Sequence, residues 1–174
     1  MYDSIEPIGE TARQQVRAAT LACIRDAEIA LGRQLPRLEI CFDLSGGTAG
    51  MFRARDALRQ IRYNPWIFAK HWEDNLANTV PHEVAHFLVH ETRGRRRVRP
   101  HGPEWRLWMD FFGADPAVTF DLDISGVPRR RQRTHAYTCA CRTHDLSSTR
   151  HNRVQRGSRY LCRYCHGALV YAGR

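Results

Sequence analysis

The stretch "TVPHEVAHFLVHETRGRRRVRPHGPEW", residues 79–105, carries four histidines, a glutamate directly after the first of them, and five arginines. His82, Glu83 and His86 form H-E-x-x-H. On a helix, residues four apart share one face, so both imidazoles can meet one ion. Zinc accepts neutral imidazole nitrogens, and a catalytic zinc site keeps three protein ligands and one open position for water. A carboxylate beside the first ligand can take a proton from that water and hand it to a leaving amine. Val80, Val84, Phe87 and Leu88 supply the apolar helical setting the pattern needs. A third ligand is still required. His90 continues the stripe, but eight helical residues rise about 12 Å while Zn–N bonds are about 2 Å. His82 and His90 therefore cannot share an ion, and His90 is expected behind the site or at the surface. His101 is the favoured third ligand, with Glu104 as the rival carboxylate.

A second set of ligand-type residues lies near the C-terminus, in "YTCACRTH" and "YLCRYCHG". Cys162 and Cys165 form C-x-x-C, the knuckle that points two thiolates at one zinc. Upstream, Cys139 and Cys141 are spaced C-x-C, whereas Cys141 and His144 give C-x-x-H. The expected structural site is Cys139, Cys141, Cys162 and Cys165, with His144 as the alternative to Cys141. In so small a module the metal would supply much of the folding energy. Cys23 and Cys41 stand alone in apolar stretches and read as buried core residues.

These groups need elements to hold them. Residues 10–31 place Val16, Ala19, Leu21, Cys23, Ile24, Ala27 and Leu31 at helical spacing, and Gly32 follows as a stop. "RLEICFD" alternates Leu38, Ile40 and Phe42 against polar neighbours, as a half-buried strand does. "MFRA" and "LRQIRYNP" read as short strands around a turn, with Pro65 ending the second. That second strand, near 58–63, is the expected guide for an extended substrate through β-addition. Residues 66–92 read as helical. Pro81 leaves two options: a helix starting near Thr79, or a longer helix kinked at the proline. "PEWRLWMDFF" is a short helix closed by Gly113. Strands and helices without βαβ alternation indicate an α+β domain. Trp66, Trp72, Trp105 and Trp108 are expected in the core rather than stacked on bases.

The formal charge of +9 is unevenly placed. Residues 129–174 hold eleven arginines and a single acid, Asp145, so the whole excess belongs to that tail. A nucleic-acid partner is the reading this asymmetry favours. Arg95, Arg96 and Arg97 in the loop, with Arg153 and Arg156 in the tail, are the expected phosphate contacts. Guanidinium forks suit phosphate oxygens; such binding to DNA would be non-sequence-specific and salt-sensitive. No apolar run approaches the roughly 20 residues needed to span a bilayer. The N-terminus lacks the pattern of a secretory signal. A cytoplasmic monomer, associated with the nucleoid or free, is the resulting expectation.

"VPHEVAHFLVH" followed by "PHGPEW" resembles the SprT-like (Spartan-like) family of zinc metalloproteases. "TAGMFRARDALRQIRYNP" is similar to that family's hairpin, and the C-terminal part to its zinc ribbon; the resemblance runs over about residues 10–172. It implies that His82, His86 and His101 bind a catalytic zinc and that Glu83 is the general acid/base. Tyr137 two positions before Cys139 matches the family pattern and implies that Cys139 is a structural-zinc ligand. The implied organisation is a minimal zincin protease domain over 1–128 and a basic zinc-ribbon module over 129–174. The implied activity is proteolysis of DNA-associated proteins, as in the repair of DNA–protein crosslinks. The competing reading is a non-enzymatic, zinc-containing DNA-binding or regulatory protein. Glu83 separates the two, because a structural site needs no carboxylate beside its first ligand.

Overall fold

Apolar residues recurring every three or four positions give the N-terminal segment one face to bury, and it folds as α1 (Glu10–Leu31). The structure is a computed structural model and describes residues 5–94, 98–116, 122–128 and 133–173. Gly32 closes α1 in the left-handed conformation, at φ 62°. Val16, Thr20, Ile24 and Ala27 are its buried residues, while Leu21, expected in the core, is 51% exposed. Thr20 occupies the inward position instead. Its hydroxyl is satisfied there, donating to the Val16 carbonyl at 2.8 Å and sharing a hydrogen bond with the Tyr63 hydroxyl at 2.9 Å.

Three strands follow: β1 (Glu39–Cys41), β2 (Gly50–Arg55) and β3 (Leu58–Tyr63), in sheet order β1-β3-β2. β1 runs parallel to β3, and β2 pairs antiparallel with it. The expected substrate-guiding strand near 58–63 is therefore corrected. β3 sits in the middle with a partner on each side, so the strand with an open edge beside the histidines is β2. Cys41 is also corrected: it is half-buried on the edge strand β1 rather than in the core.

Asn64 turns the chain from β3 into α2 (Pro65–Lys70). Its side-chain oxygen accepts from the N–H groups of Trp66 and Ile67, and its amide donates to the carbonyls of Gly46 and Thr48. Pro65 ends the strand and opens the helix, where its missing N–H costs nothing. After α3 (Trp72–Asp74), the segment Asn75–Thr79 winds as a π turn that leads into α4 (Val80–Arg93). Of the two sequence options for Pro81, the helix that starts near Thr79 is the one found: α4 begins at Val80 with Pro81 in its first turn, and the π turn joins it to the helical residues before it. Thr79 is helical and caps nothing; the helical path continues, widened by one residue where proline removes an N–H and crowds the preceding turn. Buried Asn75 braces the widened turn, donating to the His71 carbonyl at 2.6 Å and accepting from Thr79 Oγ1 at 2.8 Å.

α4 is sandwiched in the core. Val80, Val84, Phe87 and Leu88 pack with α1 and β3, while Ala85 and Val89 pack with Trp105 and Met109 of α5 (Pro103–Phe111). Chain contacts separate this first unit, Met1–Arg129, from a second, Arg130–Arg174. The second unit is built on β4 (Thr134–Thr138), β5 (Thr143–Ser147) and β6 (Val170–Tyr171), in order β5-β4-β6, with α6 (Ser148–Gln155) after β5. Tyr137, Leu146 and Cys162 are its buried apolar residues among those described. Among the described residues, no helix is long and apolar enough to cross a membrane. The protein is thus α+β.

Phe87 is fully buried between α4 and the sheet. Phe87→Ala should destabilise the first unit by about 3–5 kcal/mol. Urea titration followed by tryptophan fluorescence should show a lower midpoint with an unchanged slope.

Candidate metal centre

Two residues of α4 and one from the loop after it converge. His82 and His86 lie one turn apart, and their Nε2 atoms are 3.2 Å from each other. His101 brings a third Nε2 to 3.1 Å from that of His86 and 3.2 Å from that of His82. Three neutral imidazoles cannot satisfy one another in such a triangle, since each would need a donor and an acceptor at the same atom. A cation at the centre resolves this. Tetrahedral Zn–N bonds imply nitrogen separations of about 3.3 Å, close to those observed. Burial holds His82 down to about 4, with His101 adding to the effect. Burial likewise takes His86 down to about 3, with its two neighbours adding to the effect, and it lowers His101. All three are thereby kept as neutral ligands.

His101 reaches the site at a backbone cost. It is left-handed at φ 53°, in the turn closed by the Gly102 N–H on the Arg99 carbonyl. Such strain in a residue other than glycine is typical of a site that demands it. Trp105 secures the group from below: its Nε1 donates to the His82 carbonyl at 3.3 Å, and its ring lies 4.8 Å from those of His82 and His101. The rival ligand Glu104 is not part of the group and faces Arg93 at 3.9 Å. Trp105 and the partly buried Trp108 are core residues, as expected.

Glu83 is 5% exposed, and its Oε2 accepts a 2.6 Å hydrogen bond from the N–H of Phe52 on β2. Burial raises its carboxyl to about 7, with the Phe52 hydrogen bond pulling the other way. Gly50 makes this approach possible. A Cβ there would stand 2.6 Å from Glu83 Cγ and 2.9 Å from Thr79 Cγ2, closer than real contacts allow. Neither Gly50 nor the Phe52 N–H carries a side-chain signal in the sequence, and only the close approach of β2 to α4 exposes their part. The cleft over the histidines has a volume of about 590 Å³, and Gly50, Met51, Phe52, His90, Arg99 and Trp105 are among its walls.

The second group is in the C-terminal unit. The ligand atoms of Cys139, Cys141, Cys162 and Cys165 all lie within 4.8 Å of one another. Cys139 and Cys141 Sγ are 3.4 Å apart, and Cys141 and Cys162 Sγ 3.6 Å, near the roughly 3.8 Å edge implied by tetrahedral Zn–S bonds. His144 stands beside them, its Nε2 3.3 Å from Cys139 Sγ. The backbone N–H of Cys141 and the His144 ring pull the Cys139 thiol down to about 5. Four thiols thus make one set with His144 against its rim. Both groups could hold a metal ion, and their imidazole and thiolate donors suit zinc.

Arg95, Arg96 and Arg97 lie outside the described residues. Arg99 lines the cleft. Arg153, on α6, and Arg156, just beyond it, are exposed.

The profile of the SprT-like family matches residues 20–125. The chain is 37% identical over 164 residues to Protein SprT of Pseudomonas paraeruginosa, an alignment covering 92% of this chain and 96% of the relative. It is 39% identical over 153 residues to Protein SprT of Vibrio parahaemolyticus, covering 87% and 88%. A Pseudomonas putida relative of the same name is 35% identical over 163 residues.

With so little apolar core in the second unit, its order should depend on its metal. Stripping zinc-loaded protein with a chelator should abolish amide-exchange protection in β4, β5 and α6 while protection in α1 persists.

Proposed function

The chain belongs to the SprT-like family, and on that footing we propose that it is a zinc-dependent metallopeptidase of zincin type acting on proteins associated with DNA. The observation that carries this reading is Glu83: a buried carboxylate, fixed by a backbone N–H, next to three converging imidazoles. A site built only for stability has no use for it. His82, His86 and His101 would hold the catalytic zinc, and Cys139, Cys141, Cys162 and Cys165 a structural one in a zinc-ribbon module. Bound at the histidines, zinc supplies Lewis acidity that polarises a carbonyl and makes water a better nucleophile.

The remaining chemistry is the chain's own. The cleft admits an extended polypeptide between β2 and the Arg99–His101 turn. Glu83, set by the Phe52 N–H, takes a proton from water as it adds to the scissile carbonyl, then delivers that proton to the departing amine nitrogen. Trp105 keeps the histidine-bearing helix turn from shifting by bonding to the His82 carbonyl.

Arginine supplies the DNA contacts in this reading. Arg99 at the cleft and the exposed Arg153 and Arg156 of the basic module offer phosphate-binding forks. Arg95, Arg96 and Arg97 would join them. Contacts of this kind give affinity without sequence preference, which suits an enzyme meeting whatever protein is attached to DNA.

Incubation of a histone with and without duplex DNA tests the reading. Wild-type protein should cleave it when DNA is present, and Glu83→Gln should not. Zinc and DNA binding retained by both proteins, with cleavage by neither, would replace the peptidase with a zinc-containing DNA-binding protein. Gly50→Ala should retain zinc yet lose about 100-fold in rate, because its methyl group displaces Glu83 from its set position.

A further inference from the structure

His90 lines the cleft but does not belong to the histidine group. It stands one turn beyond His86 on α4, about 6 Å further along the axis. Its side chain is 39% exposed, and its ring meets the Phe52 ring in a T-shaped contact at 5.6 Å. Nδ1 lies 2.7 Å from Glu91 Oε1. The same carboxylate oxygen receives the Arg59 Nε at 2.6 Å, in a pair whose side chains are only 16% and 10% exposed. Burial alone would raise the Glu91 carboxyl, but hydrogen bonds from Arg59 and His90 outweigh it and hold the group below the usual range.

An ionised carboxylate only accepts hydrogen bonds, so Nδ1 is the ring nitrogen that donates to Glu91. That leaves Nε2 as the ring nitrogen open to a substrate. It makes no hydrogen bond among the described residues, and the His90 side chain is part of the cleft wall. Arg59 is anchored on β3 and Glu91 on α4, so the device that fixes this ring ties the sheet to the helix.

β2 passes along α4 in the direction of the helix, with Gly50 opposite Glu83 and Phe52 opposite Phe87 and His90. An extended polypeptide rises about 3.3 Å per residue. A chain lying along β2 with its scissile carbonyl at the histidine group therefore passes His90 about two residues away.

We propose that His90 is a substrate-binding residue whose Nε2 accepts an amide N–H of the polypeptide about two residues from the scissile bond. Arg59 and Glu91 act through it as positioning residues. A backbone N–H is the donor that fits: every residue of an extended chain offers one, and the neighbouring Arg99 and Arg59 disfavour a cationic side chain. The inference rests on the peptidase reading of the cleft, and it adds a contact that is indifferent to side-chain identity.

The test uses zinc-loaded full-length protein carrying Glu83→Gln, so that binding is measured without turnover. The probe is fluorescein-labelled unfolded casein in the presence of duplex DNA, followed by anisotropy. Adding His90→Phe should weaken binding about fivefold, the worth of one hydrogen bond. Adding His90→Gln, whose amide oxygen can replace Nε2 as acceptor, should leave the affinity within about twofold. Zinc content and circular dichroism should match across the three proteins. Equal affinity for the phenylalanine variant and its parent would overturn the proposal. So would equal weakening by phenylalanine and glutamine, since the acceptor would then not be what is read. A parent that does not bind casein at all would instead remove the peptidase reading, and this inference with it.

Discussion

A carboxylate taken out of water needs a donor or it becomes a liability of several kcal/mol, and the hydrogen bond from the Phe52 N–H to Glu83 is where this chain meets that demand. Much else follows from it. The donor must come from a strand edge that β3 does not use, so β2 lies at the margin of the sheet. The strand must come close enough for a 2.6 Å contact, so position 50 has no side chain. α4 must be held from the far side, and Val84, Phe87 and Leu88 anchor it in the core. Packing and chemistry share one helix: its apolar face fixes the angle at which the polar face meets the cleft.

The reactive residues stood out in the sequence because their chemistry requires particular types at particular spacings. H-E-x-x-H could be placed from helix geometry and Cys162 and Cys165 from knuckle geometry, while Cys141 stayed open against His144 upstream; α1 emerges with its bounds intact because its apolar period is regular. What stayed hidden depended on the third dimension. Leu21 and Thr20 exchange expected places, since the Tyr63 hydroxyl from a strand 43 residues away gives the threonine a partner inside. Cys41 faces away from Ile40 and Phe42, as the alternation of "RLEICFD" implies, so the apolar character of its stretch was the weaker guide to its place. The choice between His101 and Glu104 turned on a left-handed backbone at a histidine, a conformation that sequence seldom announces. Phe52 contributes through its amide, which every residue but proline has.

The two units differ in what makes them hold together. The first has layers: α1, a sheet, α4 and α5, with large side chains such as Tyr63, Phe68, Phe87 and Trp105 fully covered. The second has short strands and few buried apolar groups, and its four thiols are its densest cluster of strong ligands. In the first unit the fold creates the metal group; in the second the metal group would go far towards creating the fold. His144 illustrates the difference. Its ring contact with Cys139 stabilises negative charge on sulfur, the kind of outer support that tunes a thiolate site.

The π turn at Asn75–Thr79 also acts as a dial. Each residue of an α-helix turns the chain by about 100°, so the additional residue in that turn fixes the angular phase of everything after it. With an ordinary α turn and one residue fewer, His82 and His86 would point about a quarter-turn or more away from the cleft, although every side chain needed for the chemistry would still be in the sequence. A change of length in the loop between α1 and β1 would leave that phase untouched. Between Asn75 and the first histidine, the number of residues is itself part of the active arrangement.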